Sequence, residues 1–188
     1  MTRFDLSAQS GEITIRPLSA ADYEVWFTGF ENRGPSQNPY DDGKMDMSIC
    51  SPEWFEGLVA KHQEFALADK QYIFGVFNES GEHLGMLDVV TLERGSFQWC
   101  EIGYLIHNQF WRRGYAYHAL QALLKLLDTE LNFHRVEAHV SDGNEPSMGL
   151  LKKLGFTYEG VRKNFIYEGD AWVDKHIYSL NLNEREPN

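Results

Sequence analysis

The chain has 188 residues, of which 43% are hydrophobic and 14% aromatic, enough to bury a full core at about the usual size of one domain. Its 28 acidic and 17 basic side chains give a formal net charge of -11, which is the wrong sign for holding a nucleic-acid backbone. We therefore expect no nucleic-acid partner. An acidic surface favours encounter with cationic partners such as amines, although the same charge is ordinary for a soluble bacterial protein.

The cysteines and the hydropathy of the chain indicate the cellular compartment. Cys50 and Cys100 are far apart and form no Cys-x-x-Cys pair, so neither a zinc site nor a disulfide framework is predicted. The opening residues, MTRFDLSAQS, contain no signal-peptide core, and no run approaches the roughly 18 apolar residues that span a bilayer. We expect a cytoplasmic protein without a metal or a membrane partner.

The first part of the chain combines a strand, two helices and one long polar loop. Residues 12–17 alternate as a strand does, and Ser19 can cap the helix that follows. Residues 32–50 are rich in Gly, Pro, Asn and Asp, and loops of this length usually line functional sites or are disordered. Ser51 and Pro52 then predict the start of a second helix.

The remainder of the chain predicts a sheet of mixed direction. Three strand-like runs separated by turns predict an antiparallel meander at residues 72–77, 84–92 and 97–106. A helix is predicted from about Tyr115, followed by a strand at residues 135–140. A second helix is predicted at Glu145–Leu154, and two final strands lie on either side of a turn at residues 168–170. A meander followed by strand–helix–strand units predicts an α/β fold with helices on both faces of the sheet.

The stretch from Glu101 to Ala119, EIGYLIHNQFWRRGYAYHA, gives the strongest indication of a ligand. An apolar strand leads through a short polar loop into a helix that starts at Gly114, and the first amides of a helix bind phosphate because they lack partners within it. Arg112 and Arg113 add two fixed charges. The Gly-Lys-Ser/Thr ending of a Walker loop and the three-glycine dinucleotide fingerprint are both missing, so a different phosphate ligand is predicted.

At these residues the sequence resembles the GNAT N-acetyltransferases, in which a Gln/Arg-x-x-Gly-x-Gly/Ala pattern receives the pyrophosphate of acetyl-CoA. Here residues 111–116 read WRRGYA. Trp111 departs from the general pattern but is similar to the RimJ/RimL group of ribosomal-protein N-terminal acetyltransferases. A second match, NEPSMGLLKKLGFTYEG at residues 144–160, resembles that group's Asn-x-x-Ser followed by Lys-Leu-Gly-Phe-x-x-Glu-Gly. With the opening IRPL and the closing WVDKHIYSL, the resemblance extends from Glu12 to Leu182.

The resemblance implies a three-layer α/β/α sandwich with a mixed, splayed sheet of seven strands, formed by a single domain over residues 1–188 with its core at about 12–182. It implies acetyl-CoA as the cosubstrate, a small-molecule acyl donor. The contacts that it implies with acetyl-CoA are the backbone of Tyr104, Leu105 and Ile106, the loop and helix start at Arg112, Arg113, Gly114, Tyr115 and Ala116, and Asn144. The plainer alternatives are a buried strand, a solvated basic turn and a helix cap.

The resemblance also suggests which groups move protons. Many GNAT enzymes protonate the departing thiolate with a tyrosine on the last helix, but Leu151 at that position cannot donate. Ser147 is therefore the candidate acid, against the alternative of an ordinary helix-start serine. Glu101 is the candidate base. Glu137 and His139, which project together from the next strand, are alternative bases, and each of the three could instead be a salt-bridged or solvated side chain.

The predicted reaction is acetyl transfer to a primary amine, with the N-terminal α-amine of a protein as the leading acceptor by resemblance. Polyamines, antibiotics and free amino acids are alternative acceptors, and a non-catalytic acyl-CoA sensor is an alternative function. An α-amine with a pKa near 8 is roughly one-fifth neutral at about pH 7.4, whereas a lysine near 10.4 is neutral to about one part in a thousand, so a weak base suffices for the α-amine. The oligomeric state is left open, with a homodimer among the options.

Overall fold

The structure, a computed structural model, describes residues 3–184, so both ends of the predicted 1–188 domain lie outside the described residues. Within this range the chain forms eight strands and four α-helices. In chain order they are β1 Ala8–Ser10, β2 Ile13–Arg16, α1 Tyr23–Glu31, α2 Pro52–Leu67, β3 Gln71–Phe77, β4 His83–Glu93, β5 Trp99–Ile106, α3 Tyr115–Thr129, β6 Arg135–Ser141, α4 Glu145–Lys153, β7 Thr157–Glu168 and β8 Ala171–Asn181. None of these helices is both long enough and apolar enough to cross a membrane.

All eight described strands join one sheet in the order β1-β2-β3-β4-β5-β6-β8-β7. Neighbouring strands are antiparallel except β5 and β6, which run parallel. A parallel pair needs a crossover connection, and α3 provides it between these two strands. The predicted mixed sheet is therefore confirmed.

The sheet has one strand more than the seven predicted, because the polar opening segment forms β1. Ala8 lies opposite Ile15 of β2, after a turn in which Gly11 has a φ of 55°. A three-residue strand of sequence AQS has no alternating apolar pattern, so hydrophobic periodicity could not reveal it. Backbone pairing with β2 and contact with α3 hold β1 in place instead.

Helices cover both faces of the sheet and produce the three predicted layers. The larger apolar cluster lies under α3 and α4, from which it includes Leu120, Leu123, Leu127 and Leu151. The smaller cluster lies under α1 and α2, from which it includes Trp26, Phe55 and Val59. Burying one large apolar side chain contributes about 1.5–3 kcal/mol, so packing on the sheet stabilises these helices more than helix propensity does.

β5 and β6 pair only at their beginnings, through Trp99 with Arg135, Cys100 with Val136, and Glu101 with Glu137. β5 continues to Ile106 and β6 to Ser141 without further pairing between them. The sheet is therefore splayed, as predicted, and a gap opens beyond Glu101. Backbone groups of separated strands need other hydrogen-bond partners, so the gap is a place where a ligand can bind.

Two buried histidines connect the start of β4 to the end of β5. His83 Nδ1 lies 3.1 Å from His107 Nε2, and the two residues are 1% and 0% exposed. Gly29 of α1 packs against this pair, since a Cβ there would come within 2.9 Å of His107 Nε2. Burial lowers the pKa of His83 to about 4, and burial with the nearby His83 and Arg33 lowers the pKa of His107 to about 3.

The protein should lose stability in mild acid, because folding holds both histidines neutral. In the unfolded chain each ring titrates near pH 6.5, so the stability it contributes is complete above that pH and is lost as the pH falls toward 4. At about pH 5 the free energy of unfolding should be lower by about 2 kcal/mol for each histidine. Urea unfolding at about pH 7.5 and about pH 5 measures the difference. The double variant His83→Asn/His107→Asn should show a smaller difference between the two pH values, and an unchanged difference contradicts the assignment.

Candidate active site

A cavity of about 530 Å³ lies beside the gap, between the end of β5, the start of α3, α4 and the polar loop after α1. Nine predicted site residues line it: Tyr104, Leu105, Ile106, Arg112, Gly114, Tyr115, Ala116, Asn144 and Ser147. The predicted Arg113 and Glu101 are not part of this wall. The wall also includes residues that were not predicted as site residues, among them Arg33, Tyr40, Tyr117 and Lys153.

The end of β5 directs the backbone of alternate residues into the gap. The His107 N–H donates to the Leu84 C=O at 2.9 Å, which marks this pair as a hydrogen-bonded one. Such pairs alternate along antiparallel strands, so Leu105 directs its amide and carbonyl to β4, whereas Tyr104 and Ile106 direct theirs into the gap. The predicted role for the Leu105 backbone is thereby corrected: Leu105 lines the cavity, but its polar groups belong to the sheet.

Trp111 has a structural role that accounts for its place at the start of the loop. Its indole Nε1 donates to the C=O of Ile106 at 2.7 Å and so occupies one acceptor at the end of β5. The ring also packs against the larger apolar cluster. A glutamine or arginine at this position could not combine a half-buried ring with a single donor. Trp111 therefore ties the loop to the strand and fixes where the loop enters α3.

The loop before α3 exposes backbone amides to the cavity. Arg112 has a φ of 62° and Gly114 a φ of 82°, and Gly114 caps the helix without a side-chain hydrogen bond. A left-handed residue other than glycine is uncommon and is often found at ligand sites. Within the described residues, the N–H groups of Tyr115 and Ala116 have no hydrogen-bond partner. Unpaired amides at the positive end of a helix, next to left-handed residues, favour an anion.

Besides Arg33, which is paired with Asp41, two cations line the cavity, and one of these two was not predicted. Arg112 lies in the wall, whereas the guanidinium of Arg113 lies 5.7 Å from the ring centre of Phe110 and outside the lining. The second cation is Lys153 in the last turn of α4, with its Nζ 4.2 Å from the ring centre of Tyr117 on α3. Because Arg112 and Lys153 accompany the free helix amides, the cavity suits a ligand with phosphate groups.

Asn144 and Ser147 begin α4 at the cavity. Asn144 caps the helix, since its Oδ1 accepts the Ser147 N–H at 3.4 Å, so the plainer interpretation of this residue describes what it does in the structure. The Ser147 Oγ lies 2.6 Å from the hydroxyl of Tyr104. Burial raises the pKa of Tyr104 to about 12 although the Ser147 contact opposes the shift, so this hydroxyl keeps its proton at neutral pH. Leu151 is fully buried in the core.

The side chains of the three candidate bases form a connected Glu101–His139–Glu137 network on the face of the sheet opposite Tyr104. Alternation along β5 places Glu101 on the face away from Tyr104. The His139 Nδ1 lies 2.9 Å from the Glu101 Oε1, and its Nε2 lies 3.0 Å from the Glu137 Oε2. The side chain of Glu101 is 31% exposed, whereas those of His139 and Glu137 are 3% and 2% exposed. Glu101 is therefore the member of this network that an acceptor can reach.

Neighbouring charges favour the charged forms of His139 and Glu137, the two buried members of this network. Burial lowers the pKa of His139, but the carboxylates of Glu101 and Glu137 outweigh burial and raise that pKa above its usual value. Burial also raises the pKa of Glu137, yet His139, Arg135 and Arg162 together hold it below its usual range. Arg135 and Arg162 lie 2.7 Å and 3.0 Å from the Glu137 carboxylate. The inner carboxylate is thus paired on several sides and positions His139 against Glu101.

A bulge in β7 places an aromatic side chain over the His139 ring of this network. The register between β7 and β8 shifts between Arg162 and Ile166, where Asn164 has a φ of 48°. Phe165 makes an edge contact with the His139 ring at a centre-to-centre distance of 5.2 Å. Bulges often re-aim a side chain beside a functional site. Phe165 covers His139 and leaves Glu101 as the open end.

The long polar loop after α1 forms one wall of the cavity, which is one of the two outcomes predicted for it. A buried ion pair holds it, with the Arg33 Nη2 2.7 Å from the Asp41 Oδ1 and side-chain exposures of 1% and 0%. The Asn108 side chain, just after β5, donates to the Asp41 Oδ2 at 3.0 Å. The Tyr40 hydroxyl donates to the C=O of Asp142, just before α4. These contacts span the cavity from the end of β5 to the start of α4.

Comparison with known proteins identifies relatives in sequence and in fold. The family model described as acetyltransferase (GNAT) domain matches residues 12–157. The [ribosomal protein uS5]-alanine N-acetyltransferase of Escherichia coli (strain K12) is 28% identical over 143 residues, which cover 76% of this chain and 74% of that protein. The uncharacterized N-acetyltransferase YoaA of Bacillus subtilis (strain 168) is 35% identical over 176 residues, which cover 92% and 94%. The solved structure of Mycobacterium smegmatis RimJ in complex with CoA-disulfide has a similar fold, with a TM-score of 0.76 and 22% identity over 96% of this chain and 90% of that one.

Proposed function

This chain belongs to the GNAT acetyltransferase family and is an N-acetyltransferase, and from that premise we propose that it transfers the acetyl group of acetyl-CoA to the N-terminal α-amine of a protein. The observation that carries the proposal is the gap between β5 and β6. On one side of it lie free amides, the cations Arg112 and Lys153, and a pair of hydroxyl groups. On the other side lies the partly exposed carboxylate of Glu101.

The residues of the cavity fit the chemistry of acetyl-CoA. Its phosphates suit the amides of Tyr115 and Ala116 together with the side chains of Arg112 and Lys153. Its amide-containing arm suits the backbone groups that Tyr104 directs into the gap, because separated strand groups bind an extended chain as a further strand would. The cavity volume of about 530 Å³ is within the range of small-molecule sites.

The two faces of the sheet support different parts of the reaction. Acetyl-CoA supplies an acetyl group activated as a thioester. Ser147 can donate a hydrogen bond to the sulfur that leaves, and the N–H groups of β5 in the gap can stabilise negative charge on the acetyl oxygen. Glu101 can attract a cationic amine from the other face and take up its proton directly or through a water molecule. Donor and acceptor thus approach the gap from opposite sides.

The charge of the chain and the identity of a relative support a protein N-terminus as the acceptor. A net charge of -11 and the exposed Glu101 favour a cationic substrate. An α-amine is already partly neutral at pH 7, so it needs only the modest base that Glu101 provides. The Escherichia coli relative is an alanine N-acetyltransferase of ribosomal protein uS5. We therefore assign an N-terminal residue, rather than lysine, as the preferred acceptor.

The acceptor can be tested by the pH dependence of the rate. With a peptide that has a free N-terminal alanine, the rate of release of the coenzyme A thiol should rise with pH and level off at about pH 8, because the acceptor is neutral above that pH. An unassisted lysine would continue to rise toward about pH 10. The control is the same peptide with a blocked N-terminus and an internal lysine, and spermidine is a second control. Equal rates with the blocked peptide, or reaction with spermidine alone, contradict the N-terminal acceptor without affecting membership of the family.

A further inference from the structure

Two hydroxyl groups meet in the wall of the cavity. The Tyr104 Oη of β5 and the Ser147 Oγ in the first turn of α4 lie 2.6 Å apart. Both residues are half-buried and line the cavity. Over residues 3–184 neither hydroxyl makes another hydrogen bond. The pair therefore links the strand beside the gap to the helix that presents the candidate acid.

Either hydroxyl can donate in this contact, and the acidities of the two groups favour one direction. Because a phenol is a far stronger acid than an aliphatic alcohol, the favoured arrangement has the Tyr104 O–H donating and the Ser147 Oγ accepting. The Oδ1 of Asn144 is occupied by the Ser147 N–H. Tyr104 then engages one lone pair of the Ser147 oxygen. The hydroxyl proton of Ser147 is left to donate into the cavity. A serine without such a partner would rotate among several acceptors.

We propose that Tyr104 is a positioning residue whose hydroxyl orients the O–H of Ser147 toward the sulfur of the donor. The inference rests on the proposed function and adds a side-chain role to a residue whose backbone alone was expected to bind acetyl-CoA. Hydrogen bonds in a chain polarise one another, by roughly 10–30% per bond, so Tyr104 also makes Ser147 a better donor. The hydrogen bond from Ser147 stabilises the negative charge that develops on the sulfur.

The reaction balances without a covalent role for Tyr104. The acetyl carbon gains a bond to the amine nitrogen and loses its bond to sulfur, and the electron pair of the broken bond stays on sulfur. The amine gives up its proton on the face of Glu101, from which the proton passes to solvent. Ser147 donates a hydrogen bond to the thiolate, which takes a proton from solvent when it leaves. Tyr104 keeps its proton throughout.

The first test uses coenzyme A itself, so it does not depend on the acceptor. A hydrogen bond from Ser147 lowers the pKa of the bound thiol, and the ultraviolet absorbance of the thiolate reports that pKa. Tyr104→Phe should raise the pKa of the bound thiol by about 1 and lower kcat about 10-fold. The Kd of acetyl-CoA should change by less than about two-fold, because the phenyl ring and the backbone remain.

A double-mutant cycle separates positioning from a structural role. Ser147→Ala alone should lower kcat about 100-fold, and adding Tyr104→Phe to it should change kcat by less than about two-fold and leave the thiol pKa where it is. An equal effect of Tyr104→Phe in both backgrounds, or no effect when Ser147 is present, overturns the proposal. If coenzyme A binds but no amine is acetylated, the proposed function fails, and the thiol titration still decides the role of Tyr104.

Discussion

Replacing Gly114 by valine should weaken the binding of acetyl-CoA about 100-fold in a protein that remains folded. A Cβ at Gly114 would meet no atom within 4 Å, so no clash arises within the protein. The φ of 82° is nevertheless strained for a β-branched residue, and the start of α3 should shift to relieve the strain. The amides of Tyr115 and Ala116 would then lose their alignment, and each hydrogen bond to a charged group contributes about 1.5–3 kcal/mol. Calorimetric titration at constant ionic strength measures the Kd.

Gly81 provides a matched control for this prediction. It has a φ of 80°, a Cβ there would also meet nothing within 4 Å, and it lies in the turn between β3 and β4, outside the cavity wall. Gly81→Val should therefore cost similar stability and leave the Kd of acetyl-CoA unchanged. Equal affinity in folded Gly114→Val and in the parent protein would show that the phosphates bind elsewhere.

Glu101→Gln should lower kcat/KM about 100-fold at neutral pH, because it removes the charge that attracts the ammonium group and the base that takes its proton. Glu101 is not part of the cavity wall, so the Kd of acetyl-CoA should stay the same. The deficit should shrink above about pH 8, where the acceptor is neutral without assistance. Initial rates with an N-terminal alanine peptide over about pH 6.5–9 measure both effects.

His139→Gln separates the role of the imidazole from that of the carboxylate. If His139 acts by positioning Glu101, from which its Nδ1 lies 2.9 Å, the variant should lose less kcat/KM than Glu101→Gln. The opposite order would assign the base to His139. Unchanged kcat/KM in a folded Glu101→Gln variant would exclude Glu101 as the group that takes up the proton of the amine.

Local patterns in the sequence predicted most of the fold. The leucines of α3 recur at helical spacing, and Leu120, Leu123 and Leu127 are all buried on the face of the helix that packs on the core. The turn segments between the middle strands predicted the antiparallel meander, which needs only neighbouring strands to pair. β1 escaped prediction because its three residues have no apolar periodicity and depend on the pairing of Ala8 with Ile15.

The candidate site was predictable only where its residues follow one another along the chain. The strand, loop and helix from Glu101 to Ala119 indicate a phosphate ligand by their sequence alone. Lys153 gave no such indication, because it reaches the cavity only when α4 packs beside α3. Conversely, Arg113 was predicted beside Arg112 but lies outside the cavity wall, since the loop directs its side chain to Phe110.

By itself the sequence determined the order of the elements, the glycine-led helix start and the resemblance to the GNAT family, because each depends on residues close together in the chain. Only the tertiary structure decided which polar groups face one another. The hydroxyls of Tyr104 and Ser147 meet because the first turn of α4 lies beside the end of β5. Glu101 joins Glu137 and His139 because β5 pairs in parallel with β6 at Glu101. The register of distant strands and the packing of distant helices follow from the burial of the whole core, which no local spacing encodes.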